Sequence, residues 1–245
     1  MSFPLGTALN VVTVVAGTVI GAVAGSRIPE RLRETVMVTL GLLTAAIGFR
    51  EILPTDQFPL VLGAVLLGAV IGEILRIEAG LHSVGHALQR RFGGIDELLL
   101  EVAVPETVTP TPHRARFSEG FVIASLVFCV GPLTIVGSIQ DGLGDHELLI
   151  VKAGLDGFAA IAFAAVYGWG VILSALTVVV IQGGIALASG SLEGLLTDPM
   201  LDALGAAGGV LLLGIALRLL NLKQVRVANL LPAIVLAPLF VSWWG

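Results

Sequence analysis

The sequence predicts an all-α polytopic membrane protein with about eight transmembrane helices, and two observations support this fold class. First, 56% of the 245 residues are hydrophobic, only 13% are charged, and the mean hydropathy is +0.99, values far outside those of soluble domains. Second, the apolar residues form windows of about 20, the length of a helix that crosses a bilayer. The windows lie near 5–26, 35–53, 58–76, 120–140, 150–170, 171–190, 201–219 and 228–244.

No charged loop separates the fifth window from the sixth, so a count of seven is the alternative. One helix over 150–190 would be about 60 Å long, about twice the thickness of a bilayer core. We therefore expect two helices with a tight turn at Gly168, Trp169 and Gly170. The first window has no positive charge before it and is too long for a signal peptide, so we expect it to be a true span.

The basic residues predict the orientation of the eight spans, since short basic loops stay on the cytoplasmic side. Only Arg50 and Lys152 fall on the opposite side, and both termini are then extracytoplasmic. The charge of −5 and the scattered Lys and Arg offer no nucleic-acid patch. The predicted cytoplasmic set is Arg27, Arg31, Arg33, Arg76, Arg90, Arg91, Arg114, Arg116, Arg218, Lys223 and Arg226.

One long connection, about 77–119, divides the chain. Its first part, "EAGLHSVGHALQRRFG", has apolar residues at helical spacing beside Arg90 and Arg91, as in a helix lying on an anionic leaflet. Its second part, "VPETVTPTPHRAR", reads as a flexible linker because of its Pro and Thr content. His82 and His86 could share a metal ion, but no third ligand lies nearby in sequence, so an ordinary polar helix face is favoured.

Weak internal matches predict a 3+3 inverted repeat followed by two C-terminal helices. "AVAGS" at 22–26 resembles "TIVGS" at 134–138, and "VTLGL" at 38–42 resembles "VKAGL" at 151–155. The predicted parts are 1–78 (spans 1 to 3), 79–118 (amphipathic helix and linker), 119–191 (spans 4 to 6, inverted) and 192–245 (spans 7 and 8). Inverted repeats are typical of transporters, whose substrate site lies between the copies near the bilayer midplane.

The stretch "FCVGPLTIVGSIQDG" at 128–142 predicts a break in the fourth span. Pro132 lacks a backbone donor, and Gly131 lowers the cost of non-helical dihedrals. Unwound backbone at membrane depth is tolerated only inside protein or beside a wet cavity. A packing kink relieved by neighbouring hydroxyls is the alternative. The candidate site residues in this stretch are Gly131, Pro132, Thr134, Ser138, Gln140 and Asp141.

Other polar residues inside the spans complete the candidate site. Asp156 lies within the fifth span, where a carboxylate is costly enough to need a partner or a functional role, and Lys152 precedes it by four residues on the same face. A simple ion pair near the interface is the alternative. Asn10, Gln182 and Glu73 are weaker candidates, because the two amides could merely bond between helices.

Small residues at a spacing of four mark two helices for close packing. Gly17, Gly21 and Gly25 form one stripe, and Gly68 and Gly72 form another. Packing within the chain is favoured, and a homodimer seam is the alternative.

Four stretches resemble the YqgA-like family of bacterial inner-membrane proteins, a domain-of-unknown-function family. They are "FVIASLVFCVGPLTIVGSIQDGLGD" at 121–145, "KAGLDGF", and the opening "GTALNVVTVVAGTVIGAVAG" with "IPERLRETVMVTLGLLTAAIGF". The resemblance implies a multi-pass protein of the bacterial inner membrane. It implies no substrate, cofactor or catalytic residues.

The leading functional hypothesis is a small secondary transporter or ion-conducting protein for an unknown small solute or ion in the lipid bilayer. An enzyme is not expected, because no HExxH or GxSxG motif occurs and the four His residues lie outside the spans. The remaining alternative is a non-transporting scaffold or sensor that acts through 77–119. We expect no cofactor and no metal site.

Overall fold

The protein is described by a computed structural model that covers residues 4–25, 28–85, 87, 113–192 and 194–244. His86 and residues 88–112 lie outside this part of the chain, and with them most of the predicted amphipathic segment and linker. The α-helices are α1 (Leu5–Gly25), α2 (Glu30–Ile52), α3 (Phe58–Leu75), α4 (77–85), α5 (His113–Cys129), α6 (Pro132–Leu143), α7 (Glu147–Tyr167), α8 (Ser174–Val178), α9 (Gly184–Leu192), α10 (Asp198–Leu219) and α11 (Pro232–Trp244).

The described chain is helical throughout its regular elements, as predicted for a polytopic membrane protein. Six of its helical stretches are long and apolar enough to cross a membrane, or seven if the bent pair α5 and α6 counts as one span. α5 begins at His113, seven residues before the apolar window, so 113–116 are helical rather than part of a flexible linker. The last proline of the linker, Pro112, lies before this helix, and none follows until Pro132.

The longest apolar stretch, Glu147–Leu192, is 46 residues long. Its first half, α7, runs antiparallel to α5 and α6. Gly120 of α5 lies against Tyr167 at the end of α7, and Gly137 of α6 lies against Leu149 at its start.

Its second half runs back alongside α5 and α6. Gly170 lies against Phe117 near the start of α5, and Gly142 near the end of α6 lies against Ala186. The reversal occurs at Gly168, whose φ of 77° starts a 3₁₀ turn over Gly168–Leu173. The turn is therefore where the sequence predicts it. Two crossings in this stretch would make eight in all, and that count stays a prediction.

The second half is less regular than the single helix predicted for 171–190. It passes from the 3₁₀ turn through α8 into a π turn, Val179–Gly183, and then into α9. π turns occur mostly as local bulges and often lie at functional sites.

The other helices pack as pairs. α1 lies against α7, α2 against α10, and α3 against α11. α1 and α7 run parallel, because Gly17 and Gly25 of α1 lie against Gly157 and Ala165 of α7. Both glycine stripes are thus used inside the chain, as favoured from sequence. The inverted repeat stays a prediction.

Candidate functional site

A break in the α5–α6 pair frees one backbone carbonyl at membrane depth. The two helices are bent by 65°, and Gly131 between them has a φ of 139° and a ψ of 154°, a conformation essentially restricted to glycine. In a continuous helix the Phe128 carbonyl would pair with the backbone nitrogen four residues later. That residue is Pro132, whose nitrogen carries no hydrogen and cannot donate. The Phe128 carbonyl accepts instead from Thr134 Oγ1 at 3.1 Å and from Lys152 Nζ at 2.8 Å.

Lys152 and Asp156 form a buried ion pair on α7. They lie four residues apart, and each is only 7% exposed. The Lys152 ammonium donates to Asp156 Oδ2 as well as to the Phe128 carbonyl. Asp156 lies nine residues beyond Glu147, or about 14 Å along the helix axis. This distance is about half the thickness of a bilayer core, which is about 30 Å.

Two fully buried amides from other elements complete this group. Asn10 Nδ2 of α1 donates to Asp156 Oδ2 at 2.9 Å and to Gln182 Oε1 at 3.2 Å. Gln182 lies in the π turn. We call Asn10, Lys152, Asp156, Gln182 and the Phe128 carbonyl the central cluster.

The central cluster retains unused hydrogen-bonding capacity. Asn10 Oδ1 and Gln182 Nε2 are buried and have no hydrogen-bond partner. A buried polar atom without a partner is costly. The cluster can therefore accept one more hydrogen bond at Asn10 and donate one more at Gln182, as a solute, ion or water in the site would require.

Of the remaining predicted residues, two support the break from within α6. The Thr134 hydroxyl bonds to the Phe128 carbonyl, and the Ser138 hydroxyl donates to the Thr134 carbonyl. Gly131 and Pro132 form the break itself. Four of the ten predicted site residues thus supply the polar side chains of the central cluster, and four others lie at or beside the break.

Asp141 and Gln140 lie elsewhere, at the far end of α6. The buried Asp141 carboxylate accepts from the backbone N–H groups of Gly6 and Thr7 at 2.7 and 2.9 Å and from the Thr7 hydroxyl at 2.8 Å. It also contacts His146 Nδ1 at 2.6 Å. Asp141 therefore caps the start of α1. We call this end of the molecule the His146 end.

A second polar group lies at the opposite end, and sequence reasoning did not identify it as a site. Arg218 Nη1 of α10 lies 2.8 Å from Glu78 Oε1 of α4, and Arg218 Nη2 lies 3.5 Å from Glu119 Oε1 of α5. Glu78 Oε2 also accepts from the backbone N–H of Ala228 at 2.8 Å, and the Glu78 N–H donates to Asn229 Oδ1 at 2.7 Å. We call Glu78, Glu119 and Arg218 the Arg218 network and its side the Arg218 end.

The Arg218 network borders a cavity of about 570 Å³, and Glu73 borders a neighbouring one of about 320 Å³. Glu73 pairs with Arg226 at 2.5 Å and accepts from Asn229 at 2.6 Å, and it is more than half exposed. His82 contacts Ser118 and Glu78. The sequence contains one indication of this group, because Arg218 lies in the last turn of an apolar helix. That position alone does not show which acidic residues Arg218 contacts.

Within the described ranges, no three His, Cys, Asp or Glu side chains are grouped so that they could hold a metal ion. Cys129, at the end of α5, is partly buried and forms no disulfide. The central cluster has a single carboxylate.

Comparison with known proteins places nearly the whole chain in one group. Residues 5–242 match the profile of a family described as "Protein of unknown function (DUF554)". The chain is 32% identical over 241 residues to "Uncharacterized protein YqgA" of Escherichia coli (strain K12), covering 98% of this chain and 97% of that protein. It is 26% identical over 241 residues to "Uncharacterized membrane protein YdfK" of Bacillus subtilis (strain 168), covering 96% and 95%. No solved structure matches.

Proposed function

Starting from a chain that belongs to the DUF554 family and is a polytopic membrane protein, we propose that it is a small secondary transporter or ion-conducting protein without enzymatic activity. The observation that carries this proposal is the central cluster. Four buried polar side chains from three helical segments bond to one another, and one of them, Lys152, also bonds to the carbonyl that the broken helix frees. Substrate sites of transporters are typically built from such discontinuous helices near the bilayer midplane.

A packing kink would not need these residues. The Thr134 hydroxyl already satisfies the Phe128 carbonyl, which is how membrane helices normally relieve a proline break. Adding an ammonium and a carboxylate to a membrane interior costs several kcal/mol per ion even after relaxation. Two unpartnered amide atoms add a further cost. A functional role accounts for groups that stability alone does not require.

Along α1 the central cluster lies nearer to the His146 end than to the Arg218 end, so we expect a solute or ion to enter from the His146 end. Asn10 lies one helical turn beyond Thr7, which bonds to Asp141. Towards the Arg218 end the cluster is separated by buried apolar side chains that include Phe121, Phe163 and Ile215. Thr7 and Asp141, on the other side of the cluster, are buried as well, so the described conformation is closed towards both ends.

We place the protein in the bacterial inner membrane with the Arg218 end in the cytoplasm. Arg218, Lys223 and Arg226 lie at this end, and basic residues are retained on the cytoplasmic side. Both chain termini then face the other side. The scaffold hypothesis rests on the segment 77–119, of which His86 and residues 88–112 lie outside the described residues, and it stays a prediction.

The test is flux through the purified protein in liposomes that hold a pH-sensitive dye, under imposed proton and alkali-cation gradients. We expect wild-type protein to dissipate a gradient faster than empty liposomes. Asp156→Asn should slow this flux by about tenfold, equivalent to about 1.4 kcal/mol in the barrier, because it removes the only carboxylate of the cluster.

Asp145→Asn is the matched control, since Asp145 is exposed at the His146 end and should leave the flux unchanged. If wild-type protein is no more permeable than empty liposomes in every gradient, or if Asp156→Asn conducts like Asp145→Asn, the proposal is wrong.

A further inference from the structure

Two amide atoms of the central cluster have no hydrogen-bond partner among the described residues. They are the Asn10 Oδ1 acceptor and the Gln182 Nε2 donor, and both side chains are fully buried. The other ends of the same two amides are joined, since Asn10 Nδ2 donates to Gln182 Oε1 at 3.2 Å. Each amide is therefore held at one end and has hydrogen-bonding capacity left at the other.

The Asp156 carboxylate determines which way both amides point. It accepts from Asn10 Nδ2 at 2.9 Å, and an ionised carboxylate can only accept. A reversed Asn10 would bring its oxygen against the oxygens of Asp156 and Gln182, where no hydrogen is available. A reversed Gln182 would likewise place two NH₂ groups against each other. Asn10 is therefore left with a free acceptor and Gln182 with a free donor.

We infer that the central cluster binds a small uncharged solute that donates a hydrogen bond to Asn10 Oδ1 and accepts one from Gln182 Nε2, as a primary amide or a hydroxyl compound does. This inference rests on the proposed function and names the class of its solute. Lys152 and Asp156 bond to each other, and their charges cancel. A charged solute would add a buried charge without a counter-charge, which is very costly.

The segment that carries Gln182 allows the site to open. Asn10 Oδ1 and Gln182 Nε2 are shielded from solvent in the described conformation, so a solute binds only when they separate. Gln182 lies in the π turn, next to Gly183 and Gly184. A Cβ atom at either glycine would meet no atom within 4 Å, so packing does not require glycine there, and glycine weakens a helix. This segment therefore changes conformation more easily than a regular helix.

The test is uptake of radiolabelled solutes by liposomes that hold the purified full chain, with and without the ion gradients described above. Urea and glycerol are the uncharged probes, because both present donors beside acceptors. Guanidinium is the matched charged probe, since it resembles urea in shape but carries a positive charge and accepts no hydrogen bond. Urea or glycerol should enter several-fold faster than into empty liposomes, whereas guanidinium should not.

Two glutamine variants locate the effect in the central cluster. Gln182→Met has a side chain of similar length without the donor, so it should lower the protein-dependent uptake by about tenfold. Gln224→Met is the matched control, because the same change at an exposed position of the Arg218 end should leave uptake unchanged. If both variants take up the probes equally well, the inference is wrong.

The comparison of probes uses wild-type protein alone, so it decides the question even where Gln182→Met does not fold. If neither uncharged probe enters faster than into empty liposomes, or if guanidinium enters as fast as urea, the inference is overturned. Ion flux that depends on Asp156 without such uptake would leave the proposed function standing and remove only the solute class. Uptake of an uncharged probe without ion flux would support the solute class and contradict ion conduction.

Discussion

Gly21 lies against α7 so closely that a Cβ atom at this position would be 2.1 Å from the Ile161 carbonyl oxygen. Gly17 and Gly25 make similar approaches to Gly157 and Ala165. The stripe thus lets two parallel helices pack backbone to backbone, which is how small residues stabilise helix pairs in membranes. This packing places Asn10 of α1 beside Asp156 of α7, so the glycines position the central cluster without contacting it.

Gly21→Ala should therefore destabilise the protein by about 1–3 kcal/mol, the usual cost of overpacking, because backbone atoms cannot move aside as a flexible side chain can. The measurement is the unfolding temperature in detergent.

Gly154→Ala on α7 is the matched control, since a Cβ there meets no atom within 4 Å and alanine is favoured over glycine in a helix by about 1 kcal/mol. Equal unfolding temperatures for the two variants would contradict the packing argument.

Asp141 and Asp156 differ in the groups that donate hydrogen bonds to their carboxylates. Asp141 and Asp156 are both buried carboxylates of the candidate site. Asp141 accepts three hydrogen bonds from the start of α1, so its partners come from a helix terminus. Asp156 is bonded by the side chains of Lys152 and Asn10. Asp141 also contacts His146 Nδ1 at 2.6 Å, but it lies at one end of the molecule, whereas Asp156 lies in the central cluster on which the proposed function depends.

Among the helical elements, α4, α5 and α10 meet at the Arg218 end through charged side chains. The Arg218 side chain is 7% exposed and lies between Glu78 and Glu119. Glu78 is 12% exposed and also holds the Ala228 N–H at the turn before α11. The Arg218 network therefore links α4, α5, α10 and this turn.

Arg218→Met should destabilise the protein by about 3–5 kcal/mol, because it leaves the Glu78 carboxylate buried without its cation. Thermal unfolding in detergent is the measurement.

Arg226→Met is the control, since the Arg226–Glu73 pair is 69% and 57% exposed and an exposed pair contributes about 0–1 kcal/mol. If both arginine variants unfold at the same temperature, Arg218 does not hold these elements together.

For the whole molecule, the direction of each helix follows from contacts between distant glycines and their neighbours. Asp145 lies at the His146 end between α6 and α7, and Lys223 lies at the Arg218 end after α10. The two positions should face opposite sides of the membrane if Glu147–Leu192 crosses it twice.

This topology is tested by adding single cysteines in a Cys129→Ala background. In intact cells a membrane-impermeant maleimide should label Asp145→Cys, whereas Lys223→Cys should react only after the inner membrane is permeabilised. The Cys129→Ala chain alone should not react. Labelling of both positions from the same side would contradict the reversal at Gly168.

Much of the fold follows from the sequence because the relevant physics is local. A proline without an N–H and a glycine before it break a helix wherever they occur, and the break lies at Gly131 and Pro132. The positions of the spans can also be predicted locally from windows of apolar residues, since each spanning helix satisfies its backbone hydrogen bonds within its own segment. The sequence reading 171–190 as one helix was incomplete, because the π turn at Gln182 has no local signal.

The sequence by itself determined that this is an all-helical membrane protein with a broken span and costly polar residues inside it. Only the tertiary structure decided which of these residues meet. Asn10 reaches Asp156 and Gln182 across 146 and 172 positions of chain, and Glu78 reaches Arg218 across 140. The physical reason is that a buried polar group must find a partner but its chemistry does not specify one. Which helices lie side by side, here through the glycine stripes, makes that choice.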